Sequence, residues 1–393
     1  MTESSHIAVM GAGMVGASAA LGLARLGHEV TLLEPRPPQL QQGSLGIDLR
    51  NVALTPASRS FLTSLGVWPN AHLAAYSQMY VWEQWGSGHI HFDAAQMQLD
   101  ALGWVVEASP LASALWQSCD DHARIHLCLA SVESIQTADD RVMLSTDNGL
   151  QLQADFVIGA DGAQSTLRSL LQVGLHDAPV DQVALATVIR HERPHEHIAR
   201  QRFALDGPLA LLPSRFDDVC SVVWSQSQKS AEHRQQLSDA QFCAEIGQQM
   251  EHCLGQVLAV DRRVVFPLHQ HRARTMQPHA RVLLIGDAMR LIHPLAGLGV
   301  NLGFEDVEQL LQVVQGQSDL AAQGLWQRYT RHRETRARAM IATMAAFKQL
   351  FGSDLPGAGL VRRLGMQAVA QLPGLKNQIM REAMGLGTLS RSS

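Results

Sequence analysis

The sequence predicts an α/β fold: a parallel sheet interrupted by a mostly β insertion and followed by a helical C-terminal region. Three observations predict it. An apolar run, Ile7-Ala8-Val9-Met10, leads through a glycine-rich turn into a helical stretch and then a second apolar run that stops at Glu34. Two more short apolar runs, Phe156-Val157-Ile158-Gly159 and Val282-Leu283-Leu284-Ile285, read as strands buried on both faces. Elsewhere the pattern changes: residues 79–93 and 180–275 are strand-like, and from about 303 onward the pattern is helical.

The opening unit is βαβ. After the first strand, Ala17 to Leu26 reads as a helix with Gly27 as its stop, and Val30-Thr31-Leu32-Leu33 is the second strand. Residues 79–84 and 89–92 flank Gly86-Ser87-Gly88, which reads as a hairpin. Ala184–Ile189, Leu209–Leu212 and Val219–Trp224 are further strands of the insertion. The boundaries that follow are a discontinuous nucleotide-binding unit at 1–75, 100–178 and 276–310, a β-sheet unit at 76–99 and 179–275, and a C-terminal helical region at 311–393.

Composition narrows the classes. Of 393 residues, 46% are hydrophobic and 17% charged, ordinary for a globular chain, and the net charge of −5 with 5% aromatics argues against a nucleic-acid binder. The five cysteines, at 119, 128, 220, 243 and 253, include no C-x-x-C pair, which fits a reduced cytoplasmic chain without a disulfide framework or zinc site. The N-terminus lacks a basic segment of the signal-peptide kind. Ile7 to Ala24 is uncharged over nearly a membrane-spanning length, but its alanines and glycines fit a strand–turn–helix better.

Charge is uneven. Residues 328–393 carry eleven Arg/Lys against three Asp/Glu, with five arginines between 328 and 338. The commoner reading is a solvated helix face; the functional one is contact with an anionic membrane surface or an acidic partner. Met340, Ile341, Met344, Phe347, Leu350 and Phe351 follow at helical spacing, a stripe that more often faces core than lipid. His191, His195 and His197 read as residues of a solvated polar loop, and His269 and His271 as surface residues. No metal site is expected.

Three motifs carry chemistry. Gly11-x-Gly13-x-x-Gly16 follows a strand, opens a helix through Met14 and Val15, and has Glu34 at the end of the next strand, the context a dinucleotide fingerprint requires. Gly11 makes the turn, Gly13 lets backbone approach a pyrophosphate, Gly16 permits close packing, and Glu34 accepts from a ribose hydroxyl. Asp161-Gly162-x-x-Ser165-x-x-Arg168 follows the buried run Phe156–Gly159. Gly286-Asp287 follows the run Val282–Ile285 and leads to His293-Pro294-x-x-Gly297-x-Gly299-Val300-Asn301-x-Gly303, where Asn301 suits a helix cap.

In this order and spacing the chain resembles the flavin-dependent aromatic-ring hydroxylases of the para-hydroxybenzoate hydroxylase type. Asp48-Leu49-Arg50, Leu65-Gly66-Val67-Trp68, Phe92-Asp93-Ala94-Ala95, Gly207-Pro208-x-Ala210-x-Leu212-Pro213 and His293-Pro294-Leu295-Ala296-Gly297 make it most similar, within that group, to the ubiquinone-biosynthesis hydroxylases. The resemblance implies a Rossmann-like FAD-binding domain with an inserted substrate-binding sheet. It implies that Gly11, Gly13, Met14, Val15 and Gly16 hold the FAD pyrophosphate and Glu34 the adenosine ribose. Arg50 would reach the phosphate–ribityl part, and Val132 would lie near adenine. Asp161 and Gly162 would support the phosphates and the donor's approach, and Gly286 and Asp287 the ribityl chain. Pro294, Gly297, Gly299, Val300 and Asn301 would wrap the flavin ring.

The implied activity is monooxygenation of an aromatic or quinol ring, a polyprenylated ubiquinone precursor, with O2 and NAD(P)H. A single dinucleotide fingerprint makes NAD(P)H a transient donor. No residue stands out as a catalytic base. Other readings are hydroxylation of a different small phenol, an FAD dehydrogenase or oxidase, and a structural flavoprotein subunit of a biosynthetic complex. A prenylated substrate implies peripheral contact with the inner face of a membrane or a protein complex. The family usually has Ala and His where this chain has Met289 and Arg290, and Gln where it has Leu298, so substrate and reactivity are where this chain is expected to differ.

Overall fold

The computed structural model describes residues 4–84, 89–178, 180–204, 206–292 and 299–352, with 381 and 384. A five-stranded parallel sheet organises the chain. Its order is Val282–Leu284, Phe156–Gly159, β1 (His6–Met10), β2 (Glu29–Leu33) and Ile125–Cys128. Each strand is short and apolar because helices cover both faces. Helix α1 (Met14–Arg25) crosses between β1 and β2, with Gly27 at φ +98° just past its end. The uncharged stretch from Ile7 to Ala24 is therefore strand, turn and helix. Among the described residues no helix is long and apolar enough to cross a membrane.

A mostly antiparallel second sheet contains Val183–His191, Val219–Gln226, Gly207–Pro213, Ile198–Ala204, Gln78–Glu83 and His89–Asp93, with Val257–Val260 and Val264–Pro267 both along Val183–His191. Gln78–Glu83 pairs antiparallel with His89–Asp93, while the turn between them, 85–88, lies outside the described residues. One face packs Leu185, Leu211, Val222 and Trp224 against Phe242 and Ile246 of the helix Asp239–Gln249. Side chains alternate across a strand, so Ser221 projects from the opposite face. There Asn51 Nδ2 donates to Ser221 Oγ at 3.2 Å, joining this face to the segment after Arg50.

Two helices, Gly299–Val314 and Gln327–Gly352, lead into and through the start of the C-terminal region. Trp326, just before the second, stacks on Phe156 of the parallel sheet at 5.2 Å between ring centroids. The basic stretch 328–338 is not a fully solvated face. Arg333 and Arg336 are buried, because Glu305 and Asp306 on the neighbouring helix pair with them. Arg328, Arg331 and Arg338 remain exposed. Of the apolar stripe, Met340 and Ile341 pack with Ile292 and Leu302; the side chains of Met344, Phe347, Leu350 and Phe351 lie outside the described residues.

Candidate functional site

The C-terminal ends of the parallel strands converge on one edge, where ligands of open α/β sheets bind. Gly11 has φ +96°, and a Cβ there would meet Ala160 O at 2.6 Å. A Cβ on Gly16 would collide with Gly11 O. Gly13 differs: among the described residues, no atom beyond its chain neighbours lies within 4 Å of its Cβ position. It is also the N-cap of α1, with extended backbone and no side-chain capping bond. The first-turn N–H groups of α1, at Met14 and Val15, have no acceptor within the helix, an arrangement that stabilises phosphate. Glu34 closes one side, its Oε2 accepting from Ala12 N–H at 3.0 Å and leaving Oε1 for a hydroxyl donor.

The third and fourth strand ends add to this edge. Asp161 Oδ2 accepts from Leu167 N–H at 2.9 Å, while its Oδ1 is buried without a partner. Gly162, at φ +81°, has open space on its Cβ side. Gly286 sits at φ +57° against Val15, and Gly303 packs on the same Val15 side chain. Burial pushes the Asp287 carboxyl above its ordinary range; Arg290 opposes that and Asp306 adds to it. Arg168 is buried and donates to Ala288 O at 2.9 Å and Ala163 O at 2.6 Å, so it braces two strand ends against each other.

The remaining sequence-predicted residues arrive from flanking segments. Val132 is buried at the start of a small meander, and Cys128 O just before it accepts from Glu34 N–H at 3.0 Å. Among the described residues, no atom beyond its neighbours lies within 4 Å of a Cβ built on Gly299. Val300 is half-buried at the same helix start. Asn301 lies inside the helix, at its third residue. Its Oδ1 accepts from Thr55 N–H at 2.9 Å and Ser58 Oγ at 2.7 Å, and its Nδ2 donates to Ala53 O at 2.7 Å. That bridge ties the helix to the segment following Arg50, whose own side chain is exposed. Pro294, Gly297 and Leu298 lie outside the described residues.

Two departures from the family pattern have a structural role. Met289 is buried. Arg290 is buried too, with Nη1 2.8 Å from Asp306 Oδ2 and Nη2 donating to Leu302 O at 2.9 Å. The histidine expectations need correction. His191 and His195 are buried, their rings bound by Arg193 O at 2.7 Å and Ser214 O at 3.0 Å. Backbone carbonyls partner both rings, which lets them be buried. His271 is buried in the strand Gln270–Ala273, unlike exposed His269. Among the described residues, no group of three or more His, Cys, Asp or Glu is placed to hold a metal ion.

These features fit FAD: an uncapped helix N-terminus behind an open glycine, a carboxylate at the second strand end, and an unpartnered buried Asp161 oxygen. Comparison with known proteins agrees. The family model described as FAD binding domain matches residues 4–344. The chain is 35% identical to 3-demethoxyubiquinol 3-hydroxylase of Escherichia coli, over 98% of this chain and 99% of that one. It is 29% identical to the ubiquinone biosynthesis monooxygenase COQ6 of Danio rerio, over 96% and 89%. Among solved structures, p-nitrophenol 4-monooxygenase from Pseudomonas putida superposes with a TM-score of 0.77 at 19% identity, over 99% and 100% of the two chains. The chain belongs to the FAD-binding family of flavin-dependent monooxygenases.

Proposed function

We propose that this protein is a ring hydroxylase of ubiquinone biosynthesis, acting on a polyprenylated quinol or phenol. The observation that supports this most is the 35% identity, over nearly the whole of both chains, to a demethoxyubiquinol hydroxylase. Bound FAD supplies the redox chemistry, taking electrons from NAD(P)H and activating O2. The chain's own residues bind and orient. Gly11, Gly13 and Gly16 place the α1 N-terminus against the pyrophosphate, with Met14 and Val15 donating their amides. Glu34 accepts from the adenosine ribose, beside the backbone of Val132. Arg50 balances phosphate charge, and Asp161 with Gly162 flanks it. Asp287, next to Gly286, accepts from the ribityl hydroxyls. Gly299, Val300 and Asn301 would bring a helix N-terminus to the ring, and its positive end would stabilise negative charge there.

Such a substrate is too apolar to move freely in water, since each buried CH₂ is worth about 0.8 kcal/mol. The enzyme therefore meets it at a membrane surface or within a biosynthetic complex, and Arg328, Arg331 and Arg338, the last beside Glu334, are exposed cations of one helix that suit either. The test is genetic. Deleting the gene should make a demethoxylated quinone precursor accumulate, and the wild-type gene should clear it. Accumulation of an intermediate lacking a different ring hydroxyl would assign another step, and a normal quinone profile would reject the reading.

A further inference from the structure

Glu107 ends the strand Gly103–Glu107 and is the N-cap of the helix Ala108–Asp120, yet makes no side-chain capping bond there. It is buried. Its Oε2 accepts from Asp48 N–H at 3.0 Å, and its Oε1 lies 3.5 Å from Arg215 Nη1 and 3.3 Å from His72 Nδ1. His72 Nδ1 is also 2.6 Å from Arg215 Nη1. One ring nitrogen does not donate to Glu107 and accept from Arg215 at once. The shorter contact decides: Arg215 donates to His72, and Glu107 faces Arg215 as its counter-charge. Glu107 N–H donates to His72 O at 2.9 Å, and His72 has φ +61°, left-handed backbone that a residue with a Cβ adopts at a cost. The surrounding bonds hold it there.

Each route out of Glu107 leads to the segment carrying Arg50. Asp48 Oδ1 accepts from Arg50 N–H at 2.9 Å, and its Oδ2 accepts from Ser109 N–H at 2.8 Å. Arg50 O accepts from Ala108 N–H at 2.9 Å. Arg215, from the turn between two strands of the second sheet, donates through Nη2 to Gly46 O at 2.6 Å. Both backbone groups of Arg50 are thus fixed while its side chain is exposed. A long cation gains most from a fixed base, because the ordering cost falls before the ligand arrives.

We propose that Glu107 is a positioning residue: through Asp48 and Arg215 it holds the 46–50 segment so that Arg50 meets the phosphate–ribityl part of FAD. This rests on the reading of Arg50 as a cofactor contact. The structural reason is that Glu107 is the common partner of Asp48, on the Arg50 side, and Arg215, on the second sheet.

The test is a double-mutant cycle read by FAD affinity, from quenching of flavin fluorescence on titration into apoprotein. Arg50→Ala and Glu107→Gln should each weaken FAD about tenfold, the scale of one charge-assisted hydrogen bond. Arg50→Ala/Glu107→Gln should be no weaker than Arg50→Ala alone, because Glu107 acts through Arg50. A purely structural Glu107 would instead give losses that multiply, and that result overturns the proposal. So does a Glu107→Gln variant that binds FAD like the wild type. If Arg50→Ala itself binds normally, the reading of Arg50 fails and takes the proposal with it. Should Glu107→Gln not fold, Arg215→Ala enters the same cycle from the second sheet, with the same expected non-additivity.

Discussion

Arg333 Nε meets Asp306 Oδ1 at 2.5 Å, and neither side chain is exposed to solvent. The same carboxylate takes Arg290 at 2.8 Å and accepts Gly286 N–H at 3.0 Å. The second C-terminal helix is thereby joined to the strand end that carries Asp287. Removing one partner from such a group leaves buried charge uncompensated, typically at about 3–5 kcal/mol. Asp306→Asn should lower the unfolding free energy, extrapolated from urea titrations, by an amount of that order. A variant as stable as the wild type would show that the two guanidinium groups do not depend on this carboxylate.

The glycines of the first turn should separate binding from folding. Gly13→Val places its side chain in space that no other described residue fills. The variant should fold with near-normal stability and lose FAD. Gly16→Ala drives its Cβ into Gly11 O, so it should be destabilised even as apoprotein. Thermal melts of both apoproteins, with flavin content after reconstitution, check this. Stoichiometric flavin in Gly13→Val would remove the turn from the cofactor site.

Stability should fall on mild acidification. Burial holds His191, His195 and His271 below the ordinary 6.5. The unfolded chain then takes up protons near 6.5 that the folded chain refuses until lower pH, so stability is full above 6.5 and is lost as pH falls below it. Ordinary carboxylates titrate lower, and the carboxyls that burial raises, Asp287 and Glu308, oppose the fall, so a loss between about pH 7.5 and 5.5 reports on histidine. The urea midpoint should drop over that range, and His191→Asn/His195→Asn should flatten the slope. A midpoint that is level in the wild type would contradict neutral buried imidazoles.

The surface cations and the buried ones should behave differently. Reversing Arg328, Arg331 and Arg338 to Glu should abolish salt-sensitive co-sedimentation with anionic liposomes and leave the melting temperature unchanged. Arg333→Glu should unfold the protein instead. If the wild type ignores anionic and neutral vesicles alike, membrane contact through this helix is wrong.

How far the sequence reveals these features depends on range. The glycine turn, the strand ending at Glu34 and the runs at 156–159 and 282–285 are local patterns, and each forms the element its residues favour. Asn301 reads locally as a cap, but its side chain bonds to Ala53, Thr55 and Ser58 across some 240 positions, a distance no spacing rule covers. Arg333 and Arg336 look solvated because their acids, Glu305 and Asp306, sit on another helix. Glu107 carries no signal at all: one acid at a strand end acquires meaning only when Asp48, His72 and Arg215 close around it.

Hydroxylation itself is tested most directly with isotopic oxygen. Purified protein loaded with FAD is given NAD(P)H, a short-chain demethoxyubiquinol and ¹⁸O-labelled O2, and the product ring is analysed by mass spectrometry. A flavin monooxygenase of this class places one labelled atom on the ring for each molecule of product. Oxidation of NAD(P)H with label only in hydrogen peroxide or water, under conditions where the quinol is bound, would contradict it and leave an oxidase.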